Sequence, residues 1–131
     1  MRKDPSLLNI EANERRMLSR IRVADLVTVT SFNEQTKTVN VKPLVKREID
    51  GMYVSSPPIL GVKVASIPAK VTIEGITAAV EPEIKAGDIG IIVYLDLDSD
   101  NSLKTGAESQ PNSGRIHSGD DAVFVGVIIP G

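Results

Sequence analysis

The 131-residue chain has no cysteine, no tryptophan, a single histidine and only two phenylalanines and two tyrosines. Without cysteine there is no disulfide, no thiolate metal site and no cysteine nucleophile. The lone histidine, His117, is a thin basis for a His-based metal site or for Ser-His-Asp machinery. So few rings leave little with which to stack bases or sugars. The net charge of −2 supplies no electrostatic reason to expect nucleic acid. No apolar run approaches the length that crosses a bilayer, so stable membrane insertion is not expected. Met1-Arg2-Lys3 is basic, but Asp4 and Pro5 stand where the apolar stretch of a signal peptide would begin, so none is expected. The length suits one domain with a core of ordinary size.

What is present is strand-like. The stretch Asp88–Asp96 alternates Ile89, Ile91, Val93 and Leu95 with a second side holding Ile92 and Tyr94. Both faces are mostly apolar, which predicts an inner strand covered on both sides. Lys85-Ala86-Gly87-Asp88 leads into it as a turn, with a glycine available for a positive φ.

Before the first strand, Asp4-Pro5 reads as a helix start, with Asp as N-cap and Pro at the first helical position. Leu7, Leu8, Ile10, Met17, Leu18 and Ile21 then recur at helical spacing, and Glu11 with Arg15 forms a favourable i,i+4 pair. This stripe fits a helix lying on its own domain or one that associates with copies of itself or with a neighbour. From Val23 the period becomes two. Val27 and Val29, then Val39, Val41 and Val45, predict a hairpin with a polar loop at 32–37. Pro43 lacks an N–H, which places that end of the second strand at an edge or bulge. Asp50-Gly51 signals a turn. Leu60, Val62 and Val64 alternate with Gly61 and Lys63, and Val71-Thr72-Ile73-Glu74 alternates before Gly75 and Ile76–Val80. Residues 98–119 form a long polar loop without periodicity, and Ala122–Ile129 is a last strand, apolar on both faces. Five or six strands after one helix predict a mainly β fold, a small OB-like Greek-key β-barrel preceded by an N-terminal α-helix. The expected organisation is a helix over 1–22 and a barrel over 23–131.

Two constellations invite chemistry. Asp96, Asp98 and Asp100 with Ser102 have the alternate carboxylates of a calcium loop. However, Asn101 stands where that loop needs glycine, Ala107 stands at the twelfth position, and Glu108 falls one residue late. Solvated acids ending a strand are the expected reading. Arg115-Ile116-His117-Ser118-Gly119-Asp120-Asp121 gathers a histidine, a serine and two carboxylates, but no nucleophile elbow or oxyanion hole accompanies them. His117 is expected instead to hydrogen-bond to the backbone and fix the approach to the last strand. Phe32, Tyr53, Tyr94 and Phe124 are scattered, unlike the aromatic strand face of an OB-type nucleic-acid binder. Composition and spacing therefore give a small β-barrel, not expected to be an enzyme, with no catalytic residue, metal ligand or cofactor assigned.

The serial order of several segments goes further. Arg22-Val23-Ala24, Val27–Asn33 and Thr36–Leu44, then Pro57-Pro58-Ile59-Leu60-Gly61-Val62, Ile84–Asp88, and the closing His117-Ser118 and Asp121-Ala122-Val123-Phe124 together resemble one family. It is the N-terminal OB-type domain of the membrane-piercing central spike proteins of contractile-tailed bacteriophages and related tail-like particles. The resemblance covers about residues 15–131. It implies a homotrimer on the tail axis, located in the virion baseplate and made in the host bacterial cytoplasm. The implied partners are its own copies and other hub, spike-tip or baseplate proteins, with no nucleic acid. It also implies that the C-terminal spike of the family would begin about where this chain ends, at Pro130-Gly131; the expected role is a spike-less collar or plug. Under this resemblance Leu7, Ile10, Met17 and Ile21 form the assembly interface, three helices around an axis burying them. Gly87, Asp88, His117 and Asp121 are structural turn and exit residues. The remaining alternative is an OB-fold binding module for single-stranded nucleic acid or a glycan.

Overall fold

In the computed structural model, which describes residues 5–20 and 22–129, helix α1 (Pro5–Arg20) is followed by β1 (Ala24–Asn33), β2 (Thr38–Pro43), β3 (Arg47–Ile49), β4 (Met52–Val54), β5 (Ile59–Val64), β6 (Lys70–Ile73) and β7 (Ile76–Ala79). Then come β8 (Ile89–Tyr94), α2 (Asp100–Thr105), a 3-10 turn at Gly119–Asp121 and β9 (Ala122–Val127). Five strands close a barrel in the order β1-β2-β5-β9-β8, with β8 returning to pair with β1. Four of the barrel pairings are antiparallel, and β5 with β9 is parallel. This is the OB-like barrel the alternation predicts. Among the described residues the strands number nine rather than five or six, because β3–β4 and β6–β7 form two separate two-stranded hairpins outside the barrel.

β-Branched residues at period two start the barrel. Val27, Val29, Val39 and Val41 face one side of the β1–β2 hairpin and are all buried. Val62, Ile92, Tyr94, Ala122 and Phe124 meet them from the other strands. A barrel of this size is filled by such side chains, each buried Val, Ile or Phe contributing about 1.5–3 kcal/mol of transfer free energy. Asn33 closes the hairpin loop, its Oδ1 accepting the backbone N–H of Gln35 at 2.9 Å and of Thr36 at 3.2 Å.

Irregularities in register explain where simple alternation fails. The β2–β5 register shifts between Val39 and Val41, and Gly61 there has φ +65°. Leu60 is consequently turned outward, while Ile59, Val62 and Val64 serve the core. The Gly61 N–H is received at 2.9 Å by Asn40 Oδ1, whose Nδ2 donates to Ser31 Oγ at 2.9 Å. Asn40 thus joins the bulge of β5 to that of β1 across the strand between them. Pro43 lies beyond the last β2–β5 pair, where no neighbour needs its missing N–H.

β8 lies between β1 and β9, but it is covered on one side only. Gly90, Ile92 and Tyr94 are buried inside, whereas Ile89, Ile91 and Val93 are half-buried outside. A closed barrel has a single interior, so the expectation of two covered faces fails here. The same holds for the last strand: Ala122 and Phe124 enter the core, and a register shift against β8 leaves Val125 exposed. Residues 98–119 are likewise not all loop. α2 occupies Asp100–Thr105, ends at Gly106 in the left-handed conformation, and is followed by a bridge from Ile116 back to Leu97.

Candidate functional site

The turn ahead of β8 is built as the sequence suggests. Gly87 adopts φ +94° and donates its N–H to Val29 O at 2.8 Å, and Asp88 O accepts the Val29 N–H at 2.8 Å. Asp88 Oδ2 also accepts the Lys85 N–H at 2.8 Å, holding the turn from inside. Gly87 and Asp88 therefore anchor β8 to β1.

The polar segment after β8 folds onto one cation. Arg115 Nε donates to Asp121 Oδ2 at 2.7 Å, and Nη2 reaches Asp121 Oδ1 at 3.0 Å, Asp98 Oδ1 at 2.9 Å and Asp100 Oδ2 at 2.9 Å. Asp98 is 6% exposed and Asp121 3% exposed. Their remaining acceptor capacity goes to Ser113 Oγ, and to the backbone N–H groups of Asp100 and Ser99. These bonds hold both carboxyls below the usual carboxylate range: Ser113 first for Asp98, Arg115 first for Asp121. Donating hydrogen bonds to Asp121 and Asp100, in turn, holds Arg115 more firmly in its charged form. The 3-10 turn beneath is capped by Ser118, whose Oγ accepts the Asp120 N–H at 3.2 Å.

The outcome differs from a row of solvated acids. Only Asp96, 86% exposed on its side chain, matches that expectation. Asp98 is buried, and its partners are Asp100 and Asp121 rather than Asp96. The three carboxylates bring one oxygen each within 4.8 Å of one another, a spacing that suits a cation. The guanidinium of Arg115 already supplies positive charge at that place, and a divalent ion would have to displace it. Arg115 is the residue that sequence reasoning missed as a hub. The available signal was its position as one of only two cations between residues 98 and 121, among five acids.

His117 corrects its expectation as well. Its backbone N–H donates to Asp96 O at 3.2 Å, and its φ is +44°. The ring makes no bond to the backbone: Nδ1 is buried without a partner, and Nε2 lies 3.7 Å from Asp96 Oδ1. The ring is thus placed by the backbone around it.

Of the expected assembly residues, Leu7 and Ile10 lie on α1 and are exposed, together with Leu8. The side chain of Met17 and the whole of Ile21 lie outside the described residues, as does the expected N-cap, Asp4. No helix among the described residues is long and apolar enough to cross a membrane. Two further apolar surfaces are carried by the hairpins, of which the alternation announced β6–β7, while for β3–β4 only the Asp50-Gly51 turn was signalled. In β3–β4 the pairs Arg47–Val54 and Ile49–Met52 share one face, and Glu48–Tyr53 the other. In β6–β7 the pairs Val71–Ala78 and Ile73–Ile76 share one face. The opposite face carries Thr72 and Thr77, joined through their hydroxyls at 3.0 Å. Nearly every residue of both hairpins is exposed, Met52 at 71% and Ile76 at 74%. Among the four aromatic side chains Phe124 and Tyr94 are buried, Phe32 packs on the core, and only Tyr53 is exposed.

No protein-family model and no curated protein matches the chain.

Proposed function

We propose that this chain is a structural, non-enzymatic subunit of a contractile phage tail or tail-like particle, a homotrimeric OB-like adaptor of the central hub or spike on the tail axis. The observation that carries this reading is the distribution of apolar surface. The barrel fills its own interior, yet α1 and two hairpins extend from it with their apolar side chains exposed. An adaptor between rings needs one surface for its own copies and another for the next component, and three such elements supply more than one. The order of segments resembling the spike-protein OB domain supports the same reading. So does the internal satisfaction of the polar cluster: Asp98, Asp121 and Arg115 use their bonding capacity on one another, which suits a clasp on the 98–121 segment better than a reaction centre.

The binding-module alternative is weaker, because a single exposed ring, Tyr53, gives bases or sugars little to stack on. Light scattering over a concentration series tests the proposal. A stable trimer is expected. A strict monomer that binds an oligonucleotide with strong salt dependence would overturn the proposal in favour of that alternative.

A further inference from the structure

Between β8 and β9 the chain from Asp98 to Asp121 has no apolar anchor. Leu97 at its root, Leu103 and Ile116 are all exposed, and α2 buries no residue. The buried side chains of this stretch are two carboxylates, Asp98 and Asp121. What keeps it in place is therefore polar. Asn101 and Asn112 exchange side-chain hydrogen bonds at 3.1 and 3.2 Å, which folds the stretch on itself. Arg115 then joins its start to its end, pairing with Asp98 ahead of α2, Asp100 on α2 and Asp121 on the 3-10 turn.

The closed arrangement works against two unfavourable features. His117 holds φ +44°, a conformation that residues other than glycine rarely adopt, and its Nδ1 is buried without a partner. Opening relaxes the first and hydrates the second. The bonds that oppose opening need the two buried carboxylates ionised. The barrel has no such need, because its buried cluster is made of Val, Ile, Ala, Phe and Tyr side chains, and β9 is paired to β8 through backbone. Tyr94 donates its hydroxyl to Asp25, a bond that either form of the carboxyl accepts. We infer that residues 98–121 are a strap that opens as one unit while the barrel stays closed, with Arg115 as the fastening and protons as the release. The inference does not depend on the assembly state.

Protonating Asp98 and Asp121 removes the negative charge from two of the three partners of Arg115. Both carboxyls are held below the usual carboxylate range. The strap is thus fully fastened above about pH 5, and loosens as pH falls through about 4 and then through the depressed folded values. Lys63 of β5 adds attraction to Asp121, while Asp100 is half exposed and Asp120 on the 3-10 turn is exposed, so none of these reverses the direction. Charging His117 favours its 3.7 Å approach to the exposed Asp96 and acts the other way, with the small strength of a surface pair.

Amide exchange followed by NMR on the full chain at neutral pH tests the unit and its fastening. In Arg115→Met the amides of Ser99, His117 and Asp121, at the two ends of the strap, should exchange faster by one common factor of at least tenfold. Val29 and Ala65, whose amides are bonded within the barrel, should not change. Asp98→Asn with Asp121→Asn removes the charges without acid and should reproduce the acceleration at His117. If the barrel amides accelerate by the same factor, the strap opens only with the whole fold. Unequal factors along the strap mean that it frays piecemeal, and no acceleration means that Arg115 fastens nothing; each of these outcomes overturns the inference. The acid release is read with nitroxide labels, which the lack of native cysteine permits. A Lys42→Cys, Leu103→Cys chain, diluted into unlabelled protein, should give a narrow distance distribution at neutral pH that broadens at about pH 3. A barrel pair, Lys42→Cys with Val125→Cys, should keep its width. Broadening of both pairs together, or of neither, overturns the release by protons.

Discussion

Gly90 marks the point at which the barrel admits no side chain, and substituting it measures how tightly the interior is closed. It lies on the inner face of β8, between Val27 of β1 and Val127 of β9. A Cβ at this position would stand 2.5 Å from the Gly126 carbonyl oxygen and 2.5 Å from Phe124 Cε2. The ring edge can rotate or shift, whereas the carbonyl belongs to a paired strand and cannot. Overpacking of this kind costs about 1–3 kcal/mol. The upper part of that range applies here, because backbone must move. The smaller unfolded-state entropy of alanine returns about 0.4–1 kcal/mol. Gly90→Ala should therefore destabilise by about 2 kcal/mol, seen as a fall in Tm of roughly 8 °C for a domain of this size. Phe124→Leu alone should cost less than the 3–5 kcal/mol typical of truncating a buried Phe to Ala. In the double variant the ring clash disappears and the carbonyl clash remains, so the combined loss should fall short of the sum by about 1 kcal/mol. Urea unfolding of the four proteins closes the cycle. If Gly90→Ala lies within about 0.5 kcal/mol of the parent, or if the two changes simply add, the close approach of β8 and β9 around Phe124 is not as described.

Two further predictions concern titrating groups. Asp98 and Asp121 are held below their unfolded values, so their contribution is fully present above about pH 5 and is lost as pH falls through the unfolded carboxylate range near 4 and then through the depressed folded values. Arg115→Met should lower Tm at neutral pH, with a gap to wild type that narrows towards pH 3; a gap independent of pH would show that the charge of the clasp is irrelevant. Tyr94 is pushed up to about 12, by burial first and then by its 2.5 Å hydrogen bond to Asp25 Oδ2. In a Tyr53→Phe background the ultraviolet titration of tyrosinate should therefore centre near 12 rather than 10, and Asp25→Asn should bring it part of the way back. Because the folded value is the raised one, the neutral phenol stabilises the fold fully below about pH 10, and that contribution disappears as pH rises through 12.

The barrel was legible in the sequence wherever alternation ran unbroken. Val27, Val29, Val39 and Val41 declare their side directly, since a period of two admits only one register against a core. Leu60 was misplaced because a bulge inserts one residue and reverses the parity across it, and parity is all that a pattern carries. The Arg115 cluster was half legible. Its carboxylates stood out as a group, but which of them meet depends on α2 and the 3-10 turn bringing residues 98, 100 and 121 around residue 115. The β6–β7 hairpin was visible as alternation around Gly75, and β3–β4 only as its Asp50-Gly51 turn. Their position outside the barrel was not, because an amphipathic strand reads the same whether its own chain or another covers it.

The parallel contact of β5 with β9 has a kinetic consequence. Lys63 meets Val123 across sixty residues of chain, and of the two outer hairpins only β6–β7 lies within that interval, together with β8. Local turns can form the β1–β2, β3–β4 and β6–β7 pairs within microseconds, whereas the long loop must close before the β5–β9 pair rewards it. Because the entropy of closing such a loop grows only with the logarithm of its length, the segment between β5 and β8 can lengthen or shorten at small thermodynamic cost. The hairpin it carries is thus free to vary in reach while the barrel pairings beneath stay the same.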